Sequence, residues 1–261
     1  LRDLRISVTD RCNFRCVYCM PREVFGPGYA FVPREDLLTL EEIARIARVF
    51  AAIGMRKVRI TGGEPLIRRN LEHLIEMIDA MDEVDDISLT TNGSMLSPGR
   101  AADLRKSGLK RLTISLDALD DPTFKRINDV DYPVSRVLDG IEHARAAGFS
   151  GTKINVVVRR GFNQHAVLDL VKHFRHTDCI VRFIEYMDVG ETNGWNLDDV
   201  IPASDLVDEI DARYPLEAIS QNYPGEVAKR WRYRDGAGEI GFITSVTQSF
   251  CGECSRARLS A

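Results

Sequence analysis

The sequence predicts an α/β fold built on a parallel sheet. Two observations carry the prediction. Six short runs rich in β-branched residues alternate with amphipathic helical patterns, and polar residues collect where these runs end. The runs cover residues 3–8, 57–61, 86–91, 110–116, 152–158 and 180–185. Such alternation favours parallel strands joined by right-handed crossovers. Periodicity leaves open a doubly wound sheet and a full or partial barrel, and in each the working residues belong at the carboxyl ends of the strands.

Helix signals separate these runs. Thr39 and Glu42 form a capping box that begins the first helix, and Gly54 ends it. The other N-terminal signals, each before an apolar helical pattern, are Asn70, Ser97 followed by Pro98, and Asn163. Six strand–helix units result. Farther along, residues 227–234 and 239–246 flank an Asp-Gly-Ala-Gly turn and predict a β-hairpin.

Composition limits the function classes. The 261 residues are 44% hydrophobic, which suits one large α/β domain with an appendage. No apolar run approaches the length of a membrane span, which argues against a membrane protein. The net charge of -4 gives no global field that attracts nucleic acid. The chain begins with Leu1 rather than Met, so we expect a piece of a longer protein.

Cys12, Cys16 and Cys19 follow the first strand in the order C-x-x-x-C-x-x-C. Three thiolates that hold a four-iron cluster leave one iron open to an outside ligand. Structural zinc is the competing interpretation, but it normally needs four Cys or His ligands, and the nearest histidine is His73. A disulfide is disfavoured because the pattern and the lack of a signal-like segment fit a reducing cytosol, which predicts a cytoplasmic protein. Cys179 is expected to be an inert buried thiol.

Gly62-Gly63-Glu64-Pro65 follows the second strand. The glycines would let the backbone approach a ligand closely, while the carboxylate meets an ammonium group. A glycine pair after a strand is more often only a tight connection. Beside three cysteines at the preceding strand end, the ligand interpretation is favoured, since an open iron needs a bidentate amino-acid ligand.

Together these motifs resemble the radical S-adenosylmethionine superfamily and, more closely, the GTP 3′,8-cyclase family of molybdenum-cofactor biosynthesis. The matching segments are residues 5–16 (RISVTDRCNFRC), 59–65 (RITGGEP), 115–118 (SLDA), 182–185 (RFIE), 187–190 (MDVG) and 251–259 (CGECSRARL). The cysteine motif is specific to the superfamily, and the arginine-rich tail motif indicates the cyclases.

The resemblance implies a partial (β/α)6 TIM-like barrel in residues 1–220, with a C-terminal β-hairpin extension in residues 221–261 that closes the barrel mouth. It implies that Tyr18, Gly63, Ser115 and Met187 contact S-adenosylmethionine, which is cleaved to a 5′-deoxyadenosyl radical. The implied activity is that of a lyase: the radical takes the ribose 3′ hydrogen of GTP, and the resulting carbon radical attacks guanine carbon 8, giving 3′,8-cyclo-7,8-dihydro-GTP.

Basic residues argue independently for a polyanionic substrate. Arg5, Arg59, Lys153 and Arg182 lie within or at the ends of predicted strands, where an unpaired charge is costly to bury. A triphosphate would pair several of them, since guanidinium groups match phosphate oxygens in bidentate fashion. Nearby carboxylates, or an outward orientation on an alternating strand, are the alternative for any single one. The resemblance assigns to GTP the residues Arg5, Arg59, Thr90, Lys153, Arg256, Ala257 and Arg258.

The tail carries Cys251 and Cys254, and the resemblance implies that they bind a second four-iron cluster with a third cysteine farther on. The chain ends seven residues after Cys254 without that cysteine. Truncation is the favoured interpretation; the alternative is a variant without a second cluster, in which these are reduced thiols or half of a zinc site.

Expected partners, beyond GTP, are an electron donor and the downstream cyclic pyranopterin monophosphate synthase, with a homodimer left open. Two other functions remain alternatives. One is a different radical enzyme, such as a peptide-modifying enzyme with an auxiliary cluster. The other is a non-catalytic, zinc-binding barrel.

Overall fold

The structure is a computed structural model that describes residues 1–189, 192–223, 225–248, 252 and 254–260. Ten strands form one sheet in the order β10-β1-β2-β3-β4-β5-β6-β9-β8-β7. The strands are β1 (Asp3–Ser7), β2 (Lys57–Thr61), β3 (Asp86–Thr91), β4 (Arg111–Ser115), β5 (Lys153–Val158), β6 (Ile180–Glu185), β7 (Leu216–Ile219), β8 (Lys229–Tyr233), β9 (Glu239–Ile243) and β10 (Arg256–Leu259).

The helices lie mainly between the parallel strands. They are α1 (Leu40–Ala52), α2 (Leu71–Asp79), α3 (Pro98–Lys106), α4 (Asp121–Asn128), α5 (Val134–Ala146), α6 (Val167–Phe174) and α7 (Ala203–Arg213), with 3-10 turns at Pro65–Ile67, Gln164–Ala166 and Leu197–Asp199. In the part of the chain just defined, no helix combines the length and the apolar character needed to cross a membrane.

The predicted fold class is confirmed. Strands β1 to β6 are parallel neighbours, and the sheet is not closed across its described strands, as in a partial barrel. All six predicted strands are present to within one residue at either end. The predicted hairpin is β8–β9, and β9 pairs with β6 in parallel. The sequence analysis did not identify α4, α7, β7 or β10, and the division at residue 220 stays a prediction.

The two faces of the sheet differ in chemistry. Leu4 and Ile6 of β1 are fully buried, whereas Asp3, Arg5 and Ser7 between them are only half-buried. Successive side chains of a strand point to opposite faces, so the helices cover the apolar face and the polar face lines the inside of the barrel. The helix layer is strongly apolar, and α2 buries four residues with no exposed area: Leu71, Leu74, Ile75 and Ile78.

Two of the predicted helix starts are confirmed with their mechanism. Thr39 Oγ1 accepts from Glu42 N at 3.1 Å, and Thr39 N donates to Glu42 Oε2 at 2.8 Å, which completes the capping box. Ser97 Oγ accepts from Arg100 N at 3.2 Å. At the other end of α1, Gly54 has φ +104, a left-handed conformation that suits glycine.

At the other two predicted helix starts, the asparagine side chain does not cap the helix. Asn70 is at the start of α2, but its φ is +57 and its side chain caps no backbone group. Asn163 precedes a 3-10 turn rather than α6, and its side chain is used elsewhere. Its Nδ2 donates to the carbonyls of Asp117 and Val157, at 3.0 and 2.9 Å. Asn163 therefore ties the ends of β4 and β5 together.

Replacing Thr39 with Ala should lower the free energy of unfolding by about 1 kcal/mol, the usual value of an N-cap side chain. Urea denaturation measures the loss. Thr39→Ser keeps the hydroxyl and should stay close to wild type, and equal losses in the two variants would contradict the capping role.

Candidate functional site

The cysteine loop, residues 9–20, begins where β1 ends. Its backbone is docked on the end of α4, since Arg15 N donates to Asn128 O at 2.9 Å and Val17 N donates to Ile127 O at 3.0 Å. Phe14 is buried beneath it and packs against the rings of Phe124 and Tyr132. The apolar anchor and the two backbone bonds fix the loop at the carboxyl edge of the sheet.

The glycine turn after β2 lies directly against this loop. Gly63 N donates to Thr9 O at 2.7 Å, and Glu64 N donates to Arg11 O at 2.8 Å. A Cβ on Gly62 would lie 2.7 Å from Thr9 O, and one on Gly63 would overlap the Arg11 carbonyl. Both glycines are therefore required by a close backbone approach immediately before Cys12.

Glu64 does not have the position that the sequence suggested. Its carboxylate is buried and is used by the protein itself. Oε1 accepts from Leu66 N at 3.0 Å and from Thr91 Oγ1 at 2.7 Å, while Oε2 accepts from Asn92 N at 2.7 Å. Burial raises the pKa of Glu64 to about 6 against these hydrogen bonds. The Glu64 carboxylate therefore links the turns after β2 and β3, rather than facing a ligand ammonium group.

Cys12, Cys16 and Cys19 are free thiols on one loop. Burial raises the pKa of Cys12 to about 11, that of Cys16 well above its usual value, and that of Cys19 upward. Cys12 Sγ accepts from Phe14 N at 3.4 Å and from Asn92 Nδ2 at 3.9 Å. Such N–H donors suit a metal-bound thiolate, so the donor set fits an iron–sulfur cluster.

Across the described ranges, no group of three or more His, Cys, Asp or Glu side chains could hold one metal ion.

Tyr18 and Met187, both assigned to S-adenosylmethionine by resemblance, are brought together by a residue that the sequence analysis missed. Buried Asn193 donates through Nδ2 to Tyr18 O at 2.9 Å and to Met187 O at 3.2 Å. Tyr18 Oη donates to Asp117 Oδ2 at 2.8 Å, and burial raises the pKa of Asp117 to about 6. No pattern in the sequence marks Asn193, whereas Asp117 lies within the matching segment 115–118 without an assigned role.

Strand register aligns arginines across the inside of the barrel. Arg258, Arg5, Arg59, Ser88 and Arg111 occupy successive register positions on β10, β1, β2, β3 and β4. Residues in register on neighbouring strands point to the same face. Four guanidinium groups therefore share one row, which we call the arginine row.

Two further rows connect the remaining predicted residues. Thr90, Thr113 and Lys153 are in register on β3, β4 and β5. Ser115, Asn155 and Arg182 are in register on β4, β5 and β6. Arg182 donates to Asn155 Oδ1 through Nε at 3.0 Å and Nη2 at 2.7 Å. This row places Ser115, predicted to contact S-adenosylmethionine, on the same face of the sheet as Arg182, predicted to contact phosphate.

Few carboxylates balance the positive charges of these interior side chains. None of Arg5, Arg59 and Lys153 forms an ion pair with a described carboxylate. Burial, followed by repulsion from neighbouring arginines, lowers the pKa of Arg5 to about 10 and that of Lys153 to about 8. The same causes lower the pKa of Arg59 and that of Arg182, the latter to about 9. Bringing these cations together inside the fold therefore opposes stability.

Lys57 and Arg111 are cations that the sequence analysis missed. Both line one cavity with Arg5, Arg59 and Arg256. Arg111 pairs with Asp86 through both carboxylate oxygens, and Lys57 Nζ lies 3.5 Å from the centroid of the Tyr223 ring. Their place as the first residue of β2 and of β4 was visible in the sequence, but their neighbours were not.

The tail joins the barrel at β1. Arg256 is in register with Asp3, and Arg258 with Arg5. Ala257 alternates with them and packs on the apolar core, so any ligand contact from Ala257 must come from its backbone. Cys254 is exposed, and hydrogen bonds from Arg256 lower its pKa. Cys251 lies outside the described residues, and Cys179 is half-buried with its pKa raised to about 11 by burial.

Comparison with known proteins gives two family matches. The Radical SAM superfamily matches residues 6–174, and the family described as Molybdenum Cofactor Synthesis C matches residues 179–261.

Curated relatives are similar over the whole chain. A GTP 3′,8-cyclase from Acidothermus cellulolyticus is 54% identical over 261 residues, which are 100% of this chain and 72% of the relative. A GTP 3′,8-cyclase from Staphylococcus epidermidis is 46% identical over 100% of this chain and 76% of its own.

Solved structures show the same fold at low identity. SuiB from Streptococcus suis, bound to S-adenosylmethionine, has a TM-score of 0.64 and 18% identity, covering 81% of this chain and 48% of that one. Methylornithine synthase PylB has a TM-score of 0.60 and 13% identity, covering 82% and 63%. The chain spans about half the length of SuiB.

Replacing Gly63 with Ala should push the glycine turn away from the cysteine loop, because the new Cβ meets a carbonyl. We expect a loss of about 1–3 kcal/mol in the free energy of unfolding, the range for overpacked sites. Gly28→Ala is the matched control, since a Cβ there meets nothing within 4 Å. Equal urea midpoints for the two variants would contradict the close approach.

Proposed function

Because the chain belongs to the GTP 3′,8-cyclase family of the radical S-adenosylmethionine superfamily, we propose that it converts GTP to 3′,8-cyclo-7,8-dihydro-GTP, the first step of molybdenum-cofactor biosynthesis. The observation that carries the proposal is the arginine row inside the same barrel whose carboxyl edge holds the three-cysteine loop.

Cys12, Cys16 and Cys19 would hold the first four-iron cluster. Their three thiols stand on one loop, and N–H donors face Cys12 Sγ. When bound, the cluster supplies the electron that cleaves S-adenosylmethionine. The chain's own contribution at this edge is a rigid backbone frame, fixed by the Thr9–Gly63 and Arg11–Glu64 hydrogen bonds.

Tyr18, Gly63, Ser115 and Met187 would bind S-adenosylmethionine. Three observations support this assignment. Gly63 exposes backbone beside the cysteine loop, Asn193 joins the carbonyls of Tyr18 and Met187, and Ser115 points into the barrel on the row that ends at Arg182. A reactive group held here would face the interior, where a second ligand can be placed within reach.

The GTP triphosphate would occupy the cationic interior. Arg5, Arg59 and Arg258 offer guanidinium groups from adjacent strands, while Lys153 and Arg182 extend the positive surface across β5 and β6. Phosphate oxygens would pair these buried charges, which the described carboxylates leave mostly uncompensated. Thr90, Arg256 and the backbone of Ala257 complete the proposed GTP site.

Holding the triphosphate by several fixed cations orients the ribose as well as binding it. The reaction needs one hydrogen, at the 3′ position, to be nearer the reactive carbon than any other. Positions on strands set this distance more accurately than positions on loops, because the strand backbone is held by its hydrogen bonds.

A second four-iron cluster is proposed at Cys251 and Cys254, beside Arg256 and Arg258. Support comes from the exposed Cys254, whose pKa is lowered by hydrogen bonds from Arg256, and from the match of this segment to the Molybdenum Cofactor Synthesis C family.

Other partners follow from the proposed reaction. An electron donor would reduce the first cluster, and a cyclic pyranopterin monophosphate synthase would consume the product. We place these steps in the cytoplasm, and the proposal allows a second copy of the chain as a partner.

The substrate assignment is tested with GTP that carries deuterium at the ribose 3′ position. The protein is reconstituted with iron and sulfide under strict anaerobiosis and given a reductant. We expect the label in 5′-deoxyadenosine and the cyclised nucleotide as product. Cys19→Ala should give neither. Cleavage of S-adenosylmethionine without label transfer would rule out GTP as the substrate.

Lys153 should make GTP binding dependent on pH. The lysine is protonated below its pKa of about 8 in the ligand-free protein and loses its charge above it. The bound triphosphate favours the charged form, so binding takes up a proton at higher pH. The dissociation constant should therefore be roughly fourfold larger at pH 8.5 than at pH 7.

Equilibrium dialysis with GTP in reconstituted protein measures this change. Lys153→Arg keeps its charge over the whole range and should bind with little change between pH 7 and pH 8.5. An unchanged dependence in that variant would show that another group titrates.

A further inference from the structure

We propose that Arg15 is a positioning residue that fastens residues 21–32 onto the cysteine loop, and that its positive charge makes the first cluster easier to reduce. The inference rests on the proposed function only in taking Cys12, Cys16 and Cys19 as cluster ligands. It concerns an arginine inside the cysteine motif whose side chain faces neither of the proposed ligand sites.

The guanidinium group of Arg15 joins two separate segments. Nη1 donates to the carbonyls of Cys12 and Phe14, both at 2.8 Å, and Nε donates to Phe25 O at 2.8 Å. Nη1 therefore holds the backbone around Cys12, while Nε reaches ten residues along the chain. The planar arrangement of arginine donors makes this possible, and lysine offers only a point charge.

The segment that Arg15 holds is a small aromatic cluster that is also anchored at its ends. Phe25, Tyr29 and Phe31 pack on one another, with ring centroids 4.6 Å and 4.8 Å apart for the two successive pairs. Arg15 Cζ lies 5.6 Å from the Phe31 centroid, a cation–π contact. At the ends, Val32 N donates to Asp10 Oδ2 at 2.7 Å, and Arg22 pairs with Asp129. Arg15 holds the segment at Phe25, between these two ends.

The charge of Arg15 remains available to the cluster. No carboxylate in the described part of the chain forms an ion pair with it, and its hydrogen bonds go to neutral carbonyls. Reduction adds one negative charge to an iron–sulfur cluster, and a nearby fixed cation stabilises that state. Buried Asp117, hydrogen-bonded to Tyr18 on the same loop, acts in the opposite direction.

The test compares the midpoint potential of the first cluster in wild type, Arg15→Gln and Arg15→Lys, using the full chain reconstituted anaerobically. The electron paramagnetic resonance signal that changes when S-adenosylmethionine is added identifies this cluster. Arg15→Gln should reduce the equilibrium ratio of reduced to oxidised cluster about tenfold, a shift of 59 mV to lower potential for one electron. Arg15→Lys, which keeps the charge, should shift less.

Arg22→Gln is the matched control, since it removes a solvent-exposed arginine that is already paired with Asp129. Its potential should equal that of wild type. Equal potentials in Arg15→Gln and wild type would overturn the charge role, and so would an equal shift in Arg22→Gln.

Hydrogen exchange tests the fastening role without the cluster. In cluster-free protein, amides of residues 21–32 should exchange several-fold faster in both Arg15 variants than in wild type, while those of α2 stay unchanged. Unchanged exchange in residues 21–32 would overturn the fastening role, and this readout remains available if Arg15→Gln fails to hold iron. Wild type that forms the cluster but transfers no label from GTP would refute the proposed substrate, and the Arg15 comparison would still be decided.

Discussion

The contact between the glycine turn and the cysteine loop is the constraint on which the site depends. Backbone hydrogen bonds from Gly63 and Glu64 reach Thr9 and Arg11, and no side chain fits between the two segments. Three thiols are thereby placed beside exposed backbone, at the carboxyl edge of parallel strands. Glu64, buried among donors from Leu66, Thr91 and Asn92, extends the same frame to β3. A displaced turn would alter both the cluster ligands and the ligand site beside them.

Charge divides the barrel into two regions. Thiols, backbone carbonyls and Asp117 collect at the carboxyl edge, whereas arginines and Lys153 line the interior. Folding such like charges together opposes stability, as the lowered pKa values of Arg5, Lys153 and Arg182 show. Binding of a polyphosphate would relieve the repulsion, so the same arrangement that opposes folding favours a polyanionic ligand. Protein stability should therefore increase when the ligand binds.

The sequence predicted the strands well, and it located the loop that carries the three cysteines, because both are local patterns. Runs of β-branched residues and the spacing of Cys12, Cys16 and Cys19 need no knowledge of distant contacts. The arginine row and the cavity beside it depend on register between five strands, so Arg111 in the row and Lys57 in the cavity were missed. Asn193 was missed for the same reason, since its partners lie far away in sequence. Asn163 shows that a good cap residue can be overruled by its tertiary contacts, and Asn70 shows that one can begin a helix in a left-handed conformation without capping it.

The most direct test of the account is electron–nuclear double resonance of the reduced, anaerobically reconstituted protein with S-adenosylmethionine labelled by 15N at its amino group. The account predicts nitrogen coupling to the cluster, which shows that one iron lacks a cysteine and binds the amino-acid end beside the glycine turn. A cluster that forms at Cys12, Cys16 and Cys19 but shows no coupling to the label would contradict it.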